Sequence, residues 1–211
     1  MVTHFGFLGF IMLSMKTTIF NTPVLSEIYH YLAKIMLRLA GWHVEGTMPD
    51  LPKFVLVGAP HTSNWDFVLF LGVIFSLRAN VRFMGKAELF RFPIGWFFRY
   101  CGGVPVDRKK STGLVEQMVK ASNESEKFIL TIAPEGTRHH VQEWKRGFYH
   151  IAKNAGIPIV MAVVDGRHKT VRIGQVFHPT EDIEADMKSI QEVFTGVVGM
   201  HPRRKYITLK D

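Results

Sequence analysis

His61 and Asp66 stand where one apolar run ends and the next begins. Ala59-Pro60-His61-Thr62-Ser63-Asn64-Trp65-Asp66 follows Phe54-Val55-Leu56-Val57-Gly58 and leads into Phe67-Val68-Leu69-Phe70. An imidazole paired with a carboxylate makes a general base. The carboxylate fixes the tautomer at one ring nitrogen and supports the positive charge when the other takes a proton. Such a base can act on a substrate hydroxyl without a serine nucleophile. A second reading competes: Ser63-x-x-Asp66 has the form of a capping box, with Ser63 as N-cap and Asp66 favouring the start of a helix. Capping accounts for Asp66 but not for His61, and the spacing alone leaves both readings open.

Two further stretches carry charge beside glycine. In Ile132-Ala133-Pro134-Glu135-Gly136-Thr137-Arg138, proline stiffens a strand exit, glycine permits a turn or close ligand approach, and Arg138 offers a planar fork suited to phosphate. Gly102-Gly103-Val104-Pro105-Val106-Asp107-Arg108 repeats the theme and runs into Lys109 and Lys110. The plain alternatives are a strand-to-loop turn with a solvated arginine, and a solvated basic run. Cys101 is the one cysteine, so an intramolecular disulfide and a cysteine-rich zinc site are excluded. A lone thiol is a possible acyl-accepting nucleophile, although free cysteines usually pack as small apolar groups.

The elements that must hold these residues alternate along the chain. The pattern predicts strands at 54–59, 81–85, 128–134, 157–164 and 170–177. It predicts helices at 65–77, 112–124 (with Leu114, Met118 and Val119 inward), 144–154 and 181–194. This alternation predicts a single layered α/β domain with a mixed, largely parallel sheet flanked by helices, over residues 46–211. In such sheets ligands bind beyond the strand C-termini. His61 and Pro134-Glu135-Gly136 both fall just past a strand.

Residues 1–45 read as an N-terminal membrane-associating segment. Over 24–40, Leu25, Ile28, Leu32, Ile35, Met36 and Leu39 share one helical face, with Glu27, His30, Lys34 and Arg38 largely on another. A basic amphipathic helix suits a membrane surface, and packing on the protein's own core is the alternative. Residues 1–26 carry one charged side chain, Lys16, and Met15 offers a second translation start. The apolar start lacks the basic region and cleavage site of a signal peptide, and no run reaches the roughly 18–20 apolar residues of a membrane span. The 211 residues carry a net charge of +8, which favours an anionic partner. Seventeen Phe and ten Met either tilt that partner toward lipid or fill an ordinary core. The aromatic and basic stretch 88–100, with Phe90, Phe92, Trp96, Phe97, Phe98 and Tyr100 around Arg91 and Arg99, suits the headgroup level of a bilayer or, equally, a hydrophobic seam over the sheet. No nucleic-acid module accompanies the charge, so nucleic acid is not expected as a partner.

Taken together, these blocks resemble the glycerolipid acyltransferases of the PlsC-like, lysophosphatidic acid acyltransferase type. The family's H-x4-D is His61–Asp66, its Asp-Arg block is Gly103-Val-Pro-Val-Asp107-Arg108, and its F-P-E-G-T-R is Ala133-Pro-Glu-Gly-Thr-Arg138. A proline-containing apolar block matches Ile157-Pro158-Ile159-Val160, and Lys145-Arg-Gly147 matches a Lys-x-Gly that precedes a helix. Order and approximate spacing agree over about residues 55–165. Ala133 replaces the usual Phe, and Pro105 stands where a bulkier apolar residue is commoner. These departures bear on the acyl or acceptor pocket more than on the reaction class.

The resemblance implies acyl transfer from acyl-CoA or acyl-carrier protein to a hydroxyl, with no cofactor and no metal. His61 would take the hydroxyl proton, Asp66 would orient His61, and both substrates would be held together without an acyl-enzyme. Backbone amides near Gly136 are candidates for stabilising the oxyanion. Arg108, Glu135, Gly136, Thr137 and Arg138 would form the acceptor site, with Lys86 adding positive charge. The acceptor would be a lysophospholipid, foremost 1-acylglycerol-3-phosphate giving phosphatidic acid. The enzyme would lie peripherally or monotopically on the cytoplasmic face of a membrane. The alternatives are another acceptor, such as a lyso-aminolipid, or a non-catalytic lipid-binding protein on the same scaffold.

Overall fold

The computed structural model describes residues 18–106, 113–138, 141 and 143–201. The expectations for residues 1–17, including the start at Met15, lie outside this range.

Seven strands form one sheet: β1 (His43–Glu45), β2 (Lys53–Ala59), β3 (Arg82–Lys86), β4 (Gly103–Val106), β5 (Phe128–Ile132), β6 (Ile159–Asp165) and β7 (Thr170–Phe177). Their spatial order is β1-β7-β6-β2-β5-β3-β4. Strands β2 to β6 run parallel, while β7 is antiparallel to β6 and carries β1 parallel at the edge. This is the mixed, largely parallel sheet expected from the alternation. The short edge strands β1 and β4 are too brief to announce themselves by periodicity.

Alternate residues of β2 show why the sheet needs cover on both faces. Val55, Val57 and Ala59 enter one core, with Leu130, Phe148, Ile151 and Ile190. Phe54 and Leu56 enter the other, with Leu37, Leu69, Val73 and Ile74. The first core is covered by α4 (Leu114–Asn123), α5 (Gly147–Ala155) and α6 (Ile183–Glu192). The second is covered by α1 (Pro23–Leu39) and α2 (Trp65–Ser76). Both faces of the central strand are therefore apolar, which is why it reads as a continuous hydrophobic run. A short helix, α3 (Gly95–Tyr100), joins α2 through the ring contact of Phe98 with Phe67.

Two local expectations need correction. The helix predicted from Trp144 begins at Gly147. Trp144 is buried against Phe148 and Phe194, and the N–H of Lys145 donates to the carbonyl of Pro134, 2.9 Å away. That backbone serves a loop-to-loop bond and is not free to start a helical ladder.

The second correction concerns α1. His30, assigned to the polar face, is buried with Ala33 and Leu37, and its Nδ1 lies 3.1 Å from the carbonyl oxygen of Phe75. The apolar residues Leu25, Ile28, Leu32, Ile35, Met36 and Leu39 are exposed, Leu39 to 83%. The helix docks on α2 through His30, Ala33 and Leu37, with Met36 reaching Gly72, and leaves Ile28, Leu32, Ile35 and Leu39 largely uncovered among the described residues.

Candidate active site

The parallel order places the C-terminal ends of β2 and β5 side by side, with Val57 opposite Ile132. Each chain then leaves the sheet through a proline, Pro60 or Pro134. His61 and Glu135 follow directly, 74 residues apart in sequence and in contact in space. Strands β3 and β4 end at the same edge, where Lys86 pairs with Val106.

The His61 Nδ1 lies 2.9 Å from Asp66 Oδ2. That oxygen also accepts the backbone N–H groups of Thr62 at 2.6 Å and Ser63 at 2.7 Å. A carboxylate can only accept, so Nδ1 carries the proton and Nε2 is left with its lone pair. The His61 side chain is 32% exposed and that of Asp66 10%. A base is thus presented at the surface of the loop while its partner is held beneath. The expected capping box is not formed: Asp66 Oδ2 ties down the loop ahead of the helix, and the N-cap residue makes no side-chain cap bond. The N-cap is Asn64 rather than Ser63, and the Ser63 hydroxyl accepts the Trp65 N–H at 3.1 Å. Asp66 Oδ1 is buried without a hydrogen-bond partner.

Behind this pair, both Glu135 carboxyl oxygens approach the backbone nitrogen of His61, at 3.1 and 2.9 Å. Glu135 is buried, and burial pushes its carboxyl up to about 8. The His61 N–H pulls the other way, and the charge of Asp66 adds a smaller upward push. The next residue, Gly136, has φ +64°, in the left-handed region that favours glycine. Its N–H closes a turn onto the carbonyl of Ala133, after which Thr137 is half-buried and Arg138 exposed.

The side chain of Lys145 lies across this turn. A methyl group on Gly136 would sit 2.9 Å from Lys145 Cε and 3.1 Å from Nζ. Lys145 stood in the Lys-x-Gly element but was not assigned to the site. The signal was its sequence neighbourhood, and only the turn explains its position. Thr62 was also missed. It is buried, and its hydroxyl accepts the N–H of His201 at 3.1 Å. Gly199 packs so closely on Thr62 that a methyl group there would lie 2.6 Å from Oγ1. The segment after α6 therefore buttresses the His61 loop.

Among the remaining expected residues, Lys86 is exposed at the same sheet edge, with its ammonium 3.4 Å from Glu88 Oε1. Arg108 lies outside the described residues, beyond the end of β4. Cys101 is buried, and desolvation pushes its thiol up to about 11. Among the described residues, no group of three or more His, Cys, Asp and Glu is placed to hold a metal. The arrangement can remove a proton from a group at Nε2, beside a turn that carries Arg138 and is crossed by Lys145.

Residues 43–165 match the family described as Acyltransferase. A 1-acyl-sn-glycerol-3-phosphate acyltransferase of Streptococcus pneumoniae is 29% identical over 148 residues, covering 65% of this chain and 54% of that protein. One from Saccharomyces cerevisiae is also 29% identical over 148 residues, covering 67% of this chain and 48% of the relative. The chain thus spans about half the length of these two curated relatives. The crystal structure of the 1-acyl-sn-glycerophosphate acyltransferase PlsC from Thermotoga maritima shares the fold, with a TM-score of 0.59 at 19% identity. The similarity covers 88% of this chain and 84% of that one.

Proposed function

Since the chain belongs to the acyltransferase family, we propose that it moves a fatty acyl group from a thioester to the hydroxyl of a lysophospholipid. The acceptor we infer is 1-acylglycerol-3-phosphate, the product phosphatidic acid, and the donor acyl-CoA or acyl-carrier protein. The observation that carries this reading is the 2.9 Å contact between His61 Nδ1 and Asp66 Oδ2, with Nε2 left for substrate.

In this mechanism the acceptor hydroxyl donates to His61 Nε2. Its oxygen attacks the thioester carbonyl as the proton passes to the ring, and Asp66 stabilises the imidazolium. The tetrahedral oxyanion collapses, the carbon–sulfur bond breaks, and the imidazolium proton passes to the departing thiolate. Holding acceptor and donor together supplies much of the rate gain without a covalent enzyme intermediate. A backbone N–H next to Gly136, whose own N–H is taken by the Ala133 carbonyl, stabilises the oxyanion. Thr137, Arg138 and Lys145 hold the acceptor phosphate, joined by Lys86 from the end of β3, and Arg108, which lies outside the described residues, is assigned to the same role by the family motif.

The amphiphilic acceptor fits a peripheral enzyme on the cytoplasmic face of a membrane. No helix among the described residues is long and apolar enough to cross one. Support comes from the uncovered stripe of α1 and from Phe92 and Trp96, exposed to 96% and 68%. Aromatics beside Arg91 and Arg99 suit the headgroup level.

The test is a donor-by-acceptor activity matrix, with lipid products identified, for the wild type and His61→Ala. Thioester-dependent product from the wild type alone supports the proposal. A wild type inactive toward every acceptor favours a lipid-binding protein on this scaffold. Product formed only from a lyso-aminolipid moves the acceptor assignment.

A further inference from the structure

Glu135 sits among residues expected to bind the acceptor, yet its geometry points elsewhere. Its side chain is buried, whereas Arg138 on the same turn is exposed. Both carboxyl oxygens converge on one donor, the backbone N–H of His61, at 3.1 and 2.9 Å. His61 lies two residues beyond the end of β2, outside the ladder that satisfies the strand. A backbone N–H there needs a partner from elsewhere, and the Glu135 side chain provides it.

We propose that Glu135 is a positioning residue: it holds the His61 backbone against the β5 turn and does not touch the acceptor. This inference rests on the acyl-transfer reading of the site. The physical reason is the economy of the link. The four residues Glu135-Gly136-Thr137-Arg138 join the anchor of the base to the groups proposed to hold the acceptor phosphate. The distance from Nε2 to a bound hydroxyl is then set by a single turn. An acceptor-binding role is physically awkward, because the side chain is buried and both of its oxygens are turned to the His61 N–H. The raised carboxyl also fits, since a neutral acid still offers an oxygen to the His61 N–H and adds no charge beside an anionic substrate.

The experiment compares Glu135→Gln, Glu135→Leu and Arg138→Ala in the full chain, with acyl-CoA and 1-acylglycerol-3-phosphate in mixed micelles. Gln keeps an accepting oxygen, whereas Leu removes it at similar volume. A misplacement of about 1 Å costs on the order of 100-fold in rate, so E135L should lose about that much kcat. E135Q should stay within about tenfold of wild-type kcat, and the acceptor KM of both should stay within about twofold. R138A should raise the acceptor KM. A tenfold or larger rise in acceptor KM in E135Q, with kcat held, would overturn the proposal. If E135L fails to fold by circular dichroism, E135Q decides by the same criterion.

A wild type without transfer to any acceptor would sink the reaction assignment instead. The backbone contact is then judged from the His61 amide resonance in nitrogen-15 spectra. A downfield proton in the wild type that moves upfield in E135L, or shifts in E135Q, supports the contact. An unchanged resonance in the folded variants refutes it.

Discussion

One oxygen, Asp66 Oδ2, receives the His61 Nδ1–H and the backbone N–H groups of Thr62 and Ser63. Asp66 thereby fixes both the ring and the loop that carries it. Replacing His61 by Ala removes the base, and kcat should fall by about 100- to 10,000-fold. Asp66→Asn keeps an acceptor but loses the charge that supports the imidazolium, so its kcat should fall by about 100-fold or more. Initial rates at saturating donor and acceptor measure both. Wild-type rates in either variant would remove the pair from the mechanism.

The Glu135 carboxyl links folding to pH with a definite sign. Its value rises from 4.5 to about 8 in the folded chain. Between these values the native state binds more protons than the unfolded one, so stability falls as pH rises. The contribution is fully present below 4.5 and lost above about 8. Glu135→Gln removes this component, so its melting temperature should decline less than the wild type's between pH 5 and 8.5. Parallel curves would show that the carboxyl does not titrate in this window.

Cys101 is 1% exposed, and its thiol is pushed up to about 11. A buried neutral thiol is a poor nucleophile. Cys101→Ala should keep kcat within about twofold while costing on the order of 1 kcal/mol of stability. The native thiol should resist Ellman's reagent and react on unfolding. Loss of all transfer in a folded C101A would revive a covalent route.

Gly136 and Lys145 should fail together. A methyl at Gly136 meets both a φ of +64° and the Lys145 side chain at 2.9 Å. Gly136→Ala should cost on the order of 1–2 kcal/mol for the left-handed backbone and displace the ammonium. Lys145→Ala should leave stability nearly intact. Both should raise the acceptor KM, by about tenfold for K145A, the equivalent of roughly 1.4 kcal/mol. Steady-state kinetics with chemical denaturation separates the two effects.

Ile28, Leu32 and Ile35 lie on the uncovered stripe of α1, whereas Ala33 and Leu37 anchor the helix to the core. Deleting the helix would therefore expose the core, and surface substitution is the cleaner test. Changing Ile28, Leu32 and Ile35 together to Gln should move stability by no more than about 0.5 kcal/mol per site. Sedimentation with vesicles containing anionic lipid should drop markedly. Unchanged sedimentation would clear this face of a role in membrane contact.

Much of this molecule was legible in its sequence. Apolar runs of strand length alternating with longer amphipathic stretches specify a layered sheet, because buried strands and half-buried helices have different hydrophobic periods. The eight residues Thr170–Phe177 form the strand their pattern predicts. His61 and Asp66 declare themselves because one local turn brings them together.

Other features depend on chain segments far apart in sequence. Periodicity shows that α1 has an apolar stripe but not which strip faces the protein, and His30 is buried while Leu39 is exposed. Glu135 reads as one more polar residue in a glycine turn until β5 is laid beside β2. Its contact with His61 spans 74 positions. Local sequence determines which side chains are available and which elements carry them. The parallel pairing of β2 with β5 decides what they touch, since hydrogen-bond registry between distant strands sets distances that no local pattern encodes.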